Sequence, residues 1–114
     1  MKLFLVFCIL PLAATSSWGA SGNPVNGKKL FTDKSCISCH AIGAGGTSTT
    51  GPNLAGVVQK RKPTWLKRWL KEPSLMKNDP MVREMNAKYH SQMPDLGLKD
   101  SEVEDLLAYI ASVK

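Results

Sequence analysis

The chain is poor in several things, and each scarcity removes a class of protein. It has 114 residues, too few for a multidomain enzyme. Its only long apolar run, Leu3 to Ala14, is about 12 residues, short of the roughly 18 to 20 that span a bilayer. No segment shows the apolar/polar alternation of a half-buried strand, and no internal repeat is present, so sheet and solenoid architectures fall away. The net charge of +6 is modest and 43% of residues are apolar, which excludes a disordered chain. What remains is one small domain with just enough core. Domains under about 100 residues often depend on a cofactor, a metal or a disulfide.

The N-terminal run reads as an export signal. Met1-Lys2 supplies a minimal basic start, Phe4, Leu5, Val6, Phe7, Ile9 and Leu10 supply the apolar stretch, and Ser16, Ser17, Gly19 and Ala20 supply small residues for cleavage. The expected division is residues 1–20 as signal peptide and 21–114 as the mature domain. Cleavage is expected near Ala20, although bulky Trp18 leaves Gly19 and Gly22 as alternatives and an uncleaved anchor as another. Cys8 leaves with the signal, so two cysteines remain.

Those two stand in Cys36-Ile37-Ser38-Cys39-His40, the C-x-x-C-H spacing of covalent c-type haem attachment. Two thiols one turn apart can add to the two vinyl groups on one edge of a porphyrin, and the adjacent imidazole can then ligate iron. A disulfide or redox dithiol would suit an oxidising compartment, but the strand-helix-strand context of the latter is missing. Half a zinc site would need a second ligand pair, and the sequence offers none.

The rest of the chain reads as helices. Asn23-Pro24 is an N-cap followed by a first-turn proline, opening a helix through about Lys34 with Gly27, Leu30 and Phe31 near one face. Residues 41–50, rich in Gly, Ser and Thr, form a surface loop to which no chemistry is assigned. Thr64 to Glu72 is a short helix with Trp65, Leu66, Trp69 and Leu70 inward and Lys67, Arg68 and Lys71 outward. Asp79-Pro80 opens the next, which carries Met81, Met85 and Tyr89 on one stripe. In the last helix Val103, Leu106, Leu107, Ile110 and Val113 recur at helical spacing behind an acidic first turn. The fold is expected to be all-α.

Taken in order, these motifs resemble the class I cytochrome c family over Asn26 to Lys114. Gly27-Lys28-Lys29-Leu30-Phe31 precedes the C-x-x-C-H motif, Gly51-Pro52-Asn53-Leu54-Ala55-Gly56-Val57 follows it, and Met93-Pro94 stands before a final helix ending Leu107-Ala108-Tyr109-Ile110. The chain looks most like the short bacterial monohaem members. The resemblance implies helices wrapped around one covalently attached haem c, with the last helix crossing the first through Tyr109 and Ile110. It also implies that the ring of His40 is oriented by the carbonyl of Pro52, which is otherwise only a turn residue.

A second axial ligand must come from elsewhere. Met76, Met81 and Met85 lie in or beside a predicted helix, where thioethers usually fill core gaps. Met93 lies in a non-helical stretch, 53 residues beyond His40, with Pro94 stiffening it; the family's ligand occupies the same place. His90 as ligand and a vacant sixth position are the alternatives. Trp65, Trp69, Arg61 and Arg68 are candidates for the haem propionates, or else core tryptophans and solvated cations.

The function implied is electron transfer rather than catalysis: a periplasmic monomer passing single electrons through a His40/Met93-ligated haem. Its expected partners are redox proteins, a membrane cytochrome or quinol-oxidising donor and a reductase or oxidase acceptor. Alternatives are a haem enzyme or gas sensor with an open or displaceable sixth ligand, and a haem subunit of a larger respiratory complex. Neither nucleic acid nor a bilayer is an expected partner after signal removal. Lys28, Lys29, Lys34, Lys60, Arg61, Lys62, Lys67, Arg68 and Lys71 all lie early in the chain, while acids gather from Asp95 to Asp105; a basic rim at the haem edge would attract an acidic partner.

The Cys36/Cys39 spacing predicts that haem resists acid-acetone extraction from the purified protein. The double Cys36→Ala, Cys39→Ala variant should lose it and be largely unfolded. Release from the intact protein would refute covalent attachment.

Overall fold

The computed structural model describes residues 21–48 and 50–114. The signal peptide proposed over 1–20 and its cleavage site lie outside the described residues. Among the described residues five α-helices follow one another: α1 (Pro24–Asp33), α2 (Val57–Lys60), α3 (Pro63–Lys71), α4 (Pro80–Tyr89) and α5 (Asp100–Ser112), with short 3-10 turns at Cys36–Ser38 and Pro73–Met76. No strand occurs among the described residues.

Local chemistry sets the helix starts. The Asn23 side chain accepts from the N–H groups of Val25 and Asn26 at 3.0 and 3.2 Å, and Pro24 occupies the first turn, where no N–H is required. Helix α3 begins at Pro63, one residue before the position expected from sequence, for the same reason. Asp79 caps α4 through the N–H groups of Met81 and Val82 at 2.9 and 3.3 Å. At α5 the Glu102 carboxylate accepts from the Lys99 N–H at 2.9 Å, half of a capping box, while Asp100 and Glu102 complement the helix dipole. Helix α2 is a single turn entered through Gly56 at φ 75°, a conformation glycine adopts freely; no periodicity could announce it.

Packing centres on α1 against α5. A Cβ added to Gly27 would lie 1.9 Å from the carbonyl oxygen of Asp105 and 2.8 Å from the Cβ of Tyr109, so the two backbones meet where no other residue fits. Gly22 makes a second such approach, 2.1 Å from the Glu104 carbonyl on the same measure, which the sequence had not signalled. Around them Leu30, Phe31, Leu66, Leu70, Val103, Leu106, Leu107 and Ile110 form a continuous buried core. The rings of Phe31 and Tyr109 meet edge to face, 5.6 Å between centroids.

Polar contacts lock the same crossing. Asp105 accepts from the Asn23 N–H at 2.7 Å and from the Asn26 amide at 2.6 Å. These bonds hold its carboxyl below the ordinary aspartate value of 3.8, the Asn23 N–H contributing most. A group with a depressed folded pKa adds stability that is complete above its unfolded value and is lost as pH falls through the folded one. The stability advantage of the native protein over Asp105→Asn should therefore be present at neutral pH and shrink below about pH 4. Urea unfolding of both proteins across the acid range checks this; a gap that does not change with pH would exclude the mechanism.

Candidate cofactor site

Helix α1 ends at Asp33, and the backbone then turns sharply through Ser35, which sits in the left-handed region at φ 61°. For a serine this conformation costs on the order of 1 kcal/mol. The turn it opens is closed by His40 N–H to Cys36 carbonyl at 2.9 Å and Cys39 N–H to the same oxygen at 3.2 Å. Cys36, Cys39 and His40 are thereby half-buried on one cavity wall, while Ile37, 60% exposed, points away.

The imidazole is held at its back. His40 Nδ1 lies 2.8 Å from the Pro52 carbonyl oxygen, and a carbonyl only accepts, so Nδ1–H donates to it, an arrangement that in the neutral imidazole leaves the lone pair on Nε2. The contact depends on Gly51, where a Cβ would fall 2.8 Å from His40 Cε1 and 3.0 Å from Nδ1. In the sequence Gly51 is only one residue of a motif; its role is apparent only once the two segments are brought together.

The glycine-rich loop has more order than its composition suggested. Asn53 donates from its amide to the carbonyls of Gly43 and Gly46 at 2.8 and 2.9 Å and accepts from the Ala55 N–H at 2.9 Å. Ser48 donates to the Cys39 carbonyl at 2.5 Å. The loop thus buttresses the segment that carries His40.

The cavity has a volume of about 590 Å³, within the usual range for a bound organic group. Phe31, Leu66, Leu70, Leu106, Leu107 and Ile110 give it an apolar floor continuous with the core. Met93 lines it, half-buried, on the irregular segment after α4; Asp95 anchors that segment by accepting from the Ser74 N–H and hydroxyl at 2.9 and 2.5 Å. His90 is exposed at the left-handed end of α4 (φ 52°) and is not among the lining residues. Met76 is buried in the protein, but Met81 and Met85 line the cavity with Tyr89. Val82, unmarked by the stripe, is the residue α4 buries.

Of the propionate candidates, Trp65, Trp69 and Arg61 line the cavity and Arg68 does not. The Trp65 N–H is already committed to Asp79 at 3.1 Å. The proposed basic rim divides as well. Lys29, Lys67 and Lys71 pair with Asp33, Glu104 and Asp100 at 2.7, 2.6 and 2.9 Å, whereas Lys34, Lys60, Arg61 and also Lys88 border the cavity.

The residues present suit a haem. Burial pushes the Cys36 thiol above its ordinary value, the opposite of the low-pKa thiolate that a redox dithiol needs. Among the described residues no group of three or more His, Cys, Asp or Glu converges on a bare-metal site. A thiol pair, an imidazole held through Nδ1, a thioether and an apolar cavity of this size match the demands of a covalently tethered porphyrin.

An all-helical fold around such a cavity defines a small c-type haem protein. The cytochrome c family model matches residues 24–114. Cytochrome c2 of Rhodospirillum rubrum is 27% identical over 99% of this chain and 98% of its own. Cytochrome c-554(547) of Halothiobacillus neapolitanus is 32% identical over 82% of this chain and 100% of its own. Among solved structures, the cytochrome c domain of a Pseudomonas putida protein superposes with a TM-score of 0.63 at 36% identity, covering 74% of this chain and 83% of the domain. The chain belongs to the cytochrome c family. It is an electron-transfer protein with covalently attached haem c, and its partners are redox proteins.

Proposed function

We propose that this cytochrome is a periplasmic carrier in which Cys36 and Cys39 tether the haem and His40 and Met93 ligate its iron. The observation that carries this reading is the His40 ring, fixed by Pro52 so that its lone-pair nitrogen is left for a ligand on the wall that also bears both thiols. When bound, the haem supplies a reversible one-electron couple.

The chain's own residues do the rest. Donation of Nδ1–H to Pro52 keeps the imidazole in one orientation and strengthens it as a donor. The Met93 thioether, a soft and weak base, favours the reduced metal and so raises the potential. The core side chains along the cavity floor keep water away, which lessens the reorganisation that accompanies a change of charge. Lys34, Lys60, Arg61 and Lys88 place positive charge at the cavity border, suited to brief encounters with acidic partners. A membrane cytochrome or quinol-oxidising complex is the proposed donor, and a reductase or oxidase the acceptor. Among the described residues no helix is long and apolar enough to cross a membrane.

Met93→Ala should open the iron to carbon monoxide and lower the midpoint potential, whereas His90→Ala should change neither. Absorption spectra with and without carbon monoxide, with a redox titration, decide the assignment; the reverse pattern would make His90 the ligand.

Charge at the border predicts that electron transfer to an acidic acceptor slows as salt rises, since exposed charges are screened over about 10 Å at 0.1 M. Lys34→Glu with Lys60→Glu should flatten that dependence in stopped-flow measurements. Lys29→Glu, at a residue already paired with Asp33, should flatten it far less.

A further inference from the structure

The Asp79 carboxylate joins two walls of the haem cavity without lining it. Its Oδ2 accepts the indole N–H of Trp65 from α3 at 3.1 Å, while its Oδ1 caps α4 through Met81 and Val82 at 2.9 and 3.3 Å. Each side of this junction leads to the cavity. On α3, Trp65 stacks on Trp69 at 5.8 Å with 19° between planes, and the Arg61 guanidinium lies over the Trp65 ring, 6.0 Å from its centroid. On α4, the turns that follow the cap carry Met81, Met85 and Tyr89. The indole bond is the leading cause holding the Asp79 carboxyl below its ordinary value, with Arg68 adding a smaller attraction. Helix α4 needs such a tie, because its only buried side chain is Val82.

We propose that Asp79 is a positioning residue for electron transfer: by clasping Trp65 to the start of α4 it fixes the Arg61 cation and the α4 side chains relative to the haem, and so helps set the reduction potential. The proposal rests on the haem-bound reading above. A cation held near the haem favours the reduced form, which carries one less positive charge. Trp65→Phe removes the indole donor, together with part of the ring that stacks on Trp69 and lies under Arg61, but preserves every formal charge and the helix cap, so it separates the clasp from capping and from any change of charge.

The test uses four holoproteins: native, Trp65→Phe, Asp79→Asn and the double variant. Covalent haem is verified first, and its absence from the native protein would fail the haem-bound reading, not the clasp. The expected results are a lower midpoint potential and altered visible-region circular dichroism in Trp65→Phe. In Asp79→Asn, the Trp65 indole proton should exchange faster by NMR. The potential shifts should not add in the double variant, because either change opens the same link. If the Asp79 variants fail to accumulate, Trp65→Phe alone decides. A lower melting temperature with unchanged potential and dichroism in Trp65→Phe, or strictly additive shifts, would reduce Asp79 to a helix cap and overturn the proposal.

Discussion

Everything in this cytochrome is referred to the place where α1 and α5 touch through bare backbone. Gly27 admits the Asp105 carbonyl, so the axes approach more closely than side chains would permit, and Gly22, two residues before α1, admits the Glu104 carbonyl. That contact fixes the end of α1, and the Cys36–Ser38 turn begins only three residues beyond it. The direction in which the thiols and His40 face follows from the crossing. The same helices present Phe31, Leu106, Leu107 and Ile110 as the cavity floor, so attachment edge and apolar bed are set by one interface.

The second half of the cavity is built on weaker terms. Helices α3 and α4 are short, and α4 buries one side chain while its methionines and Tyr89 line the cavity. A small domain whose wall faces a prosthetic group has made that group part of its core, because those apolar surfaces have no protein partner to bury against. Carboxylates compensate at the junctions. Asp79 links α3 to α4, Asp95 links the Met93 segment to the turn before α4, and Asp105 links α1 to α5. All three are held below the ordinary aspartate value by the hydrogen bonds they accept. The acids that looked like a simple charge cluster are therefore largely structural. Three of the lysines serve ion pairs, which leaves a smaller positive border at the cavity than the sequence distribution implied.

What the sequence determined alone is what depends on contacts a few residues apart. The C-x-x-C-H spacing specifies its chemistry within a single turn, the Asn23-Pro24 and Asp79-Pro80 pairs announce helix starts through bonds two or three residues on, and the α5 periodicity marks its buried face. The motif order then carried the resemblance from which the architecture was expected. Tertiary structure decided what depends on segments distant in the chain. Gly51 beside His40, Gly22 against Glu104, Ser48 on the Cys39 carbonyl and Trp65 on Asp79 all join residues whose partners no periodicity or cap rule selects. Likewise, whether a lysine borders the cavity or pairs with an acid, and whether a methionine is buried like Met76 or faces the cofactor space like Met81 and Met85, depends on where the helices come to rest. Helix packing, unlike helix formation, is a sum over long-range contacts and is settled only when the whole chain has found its place.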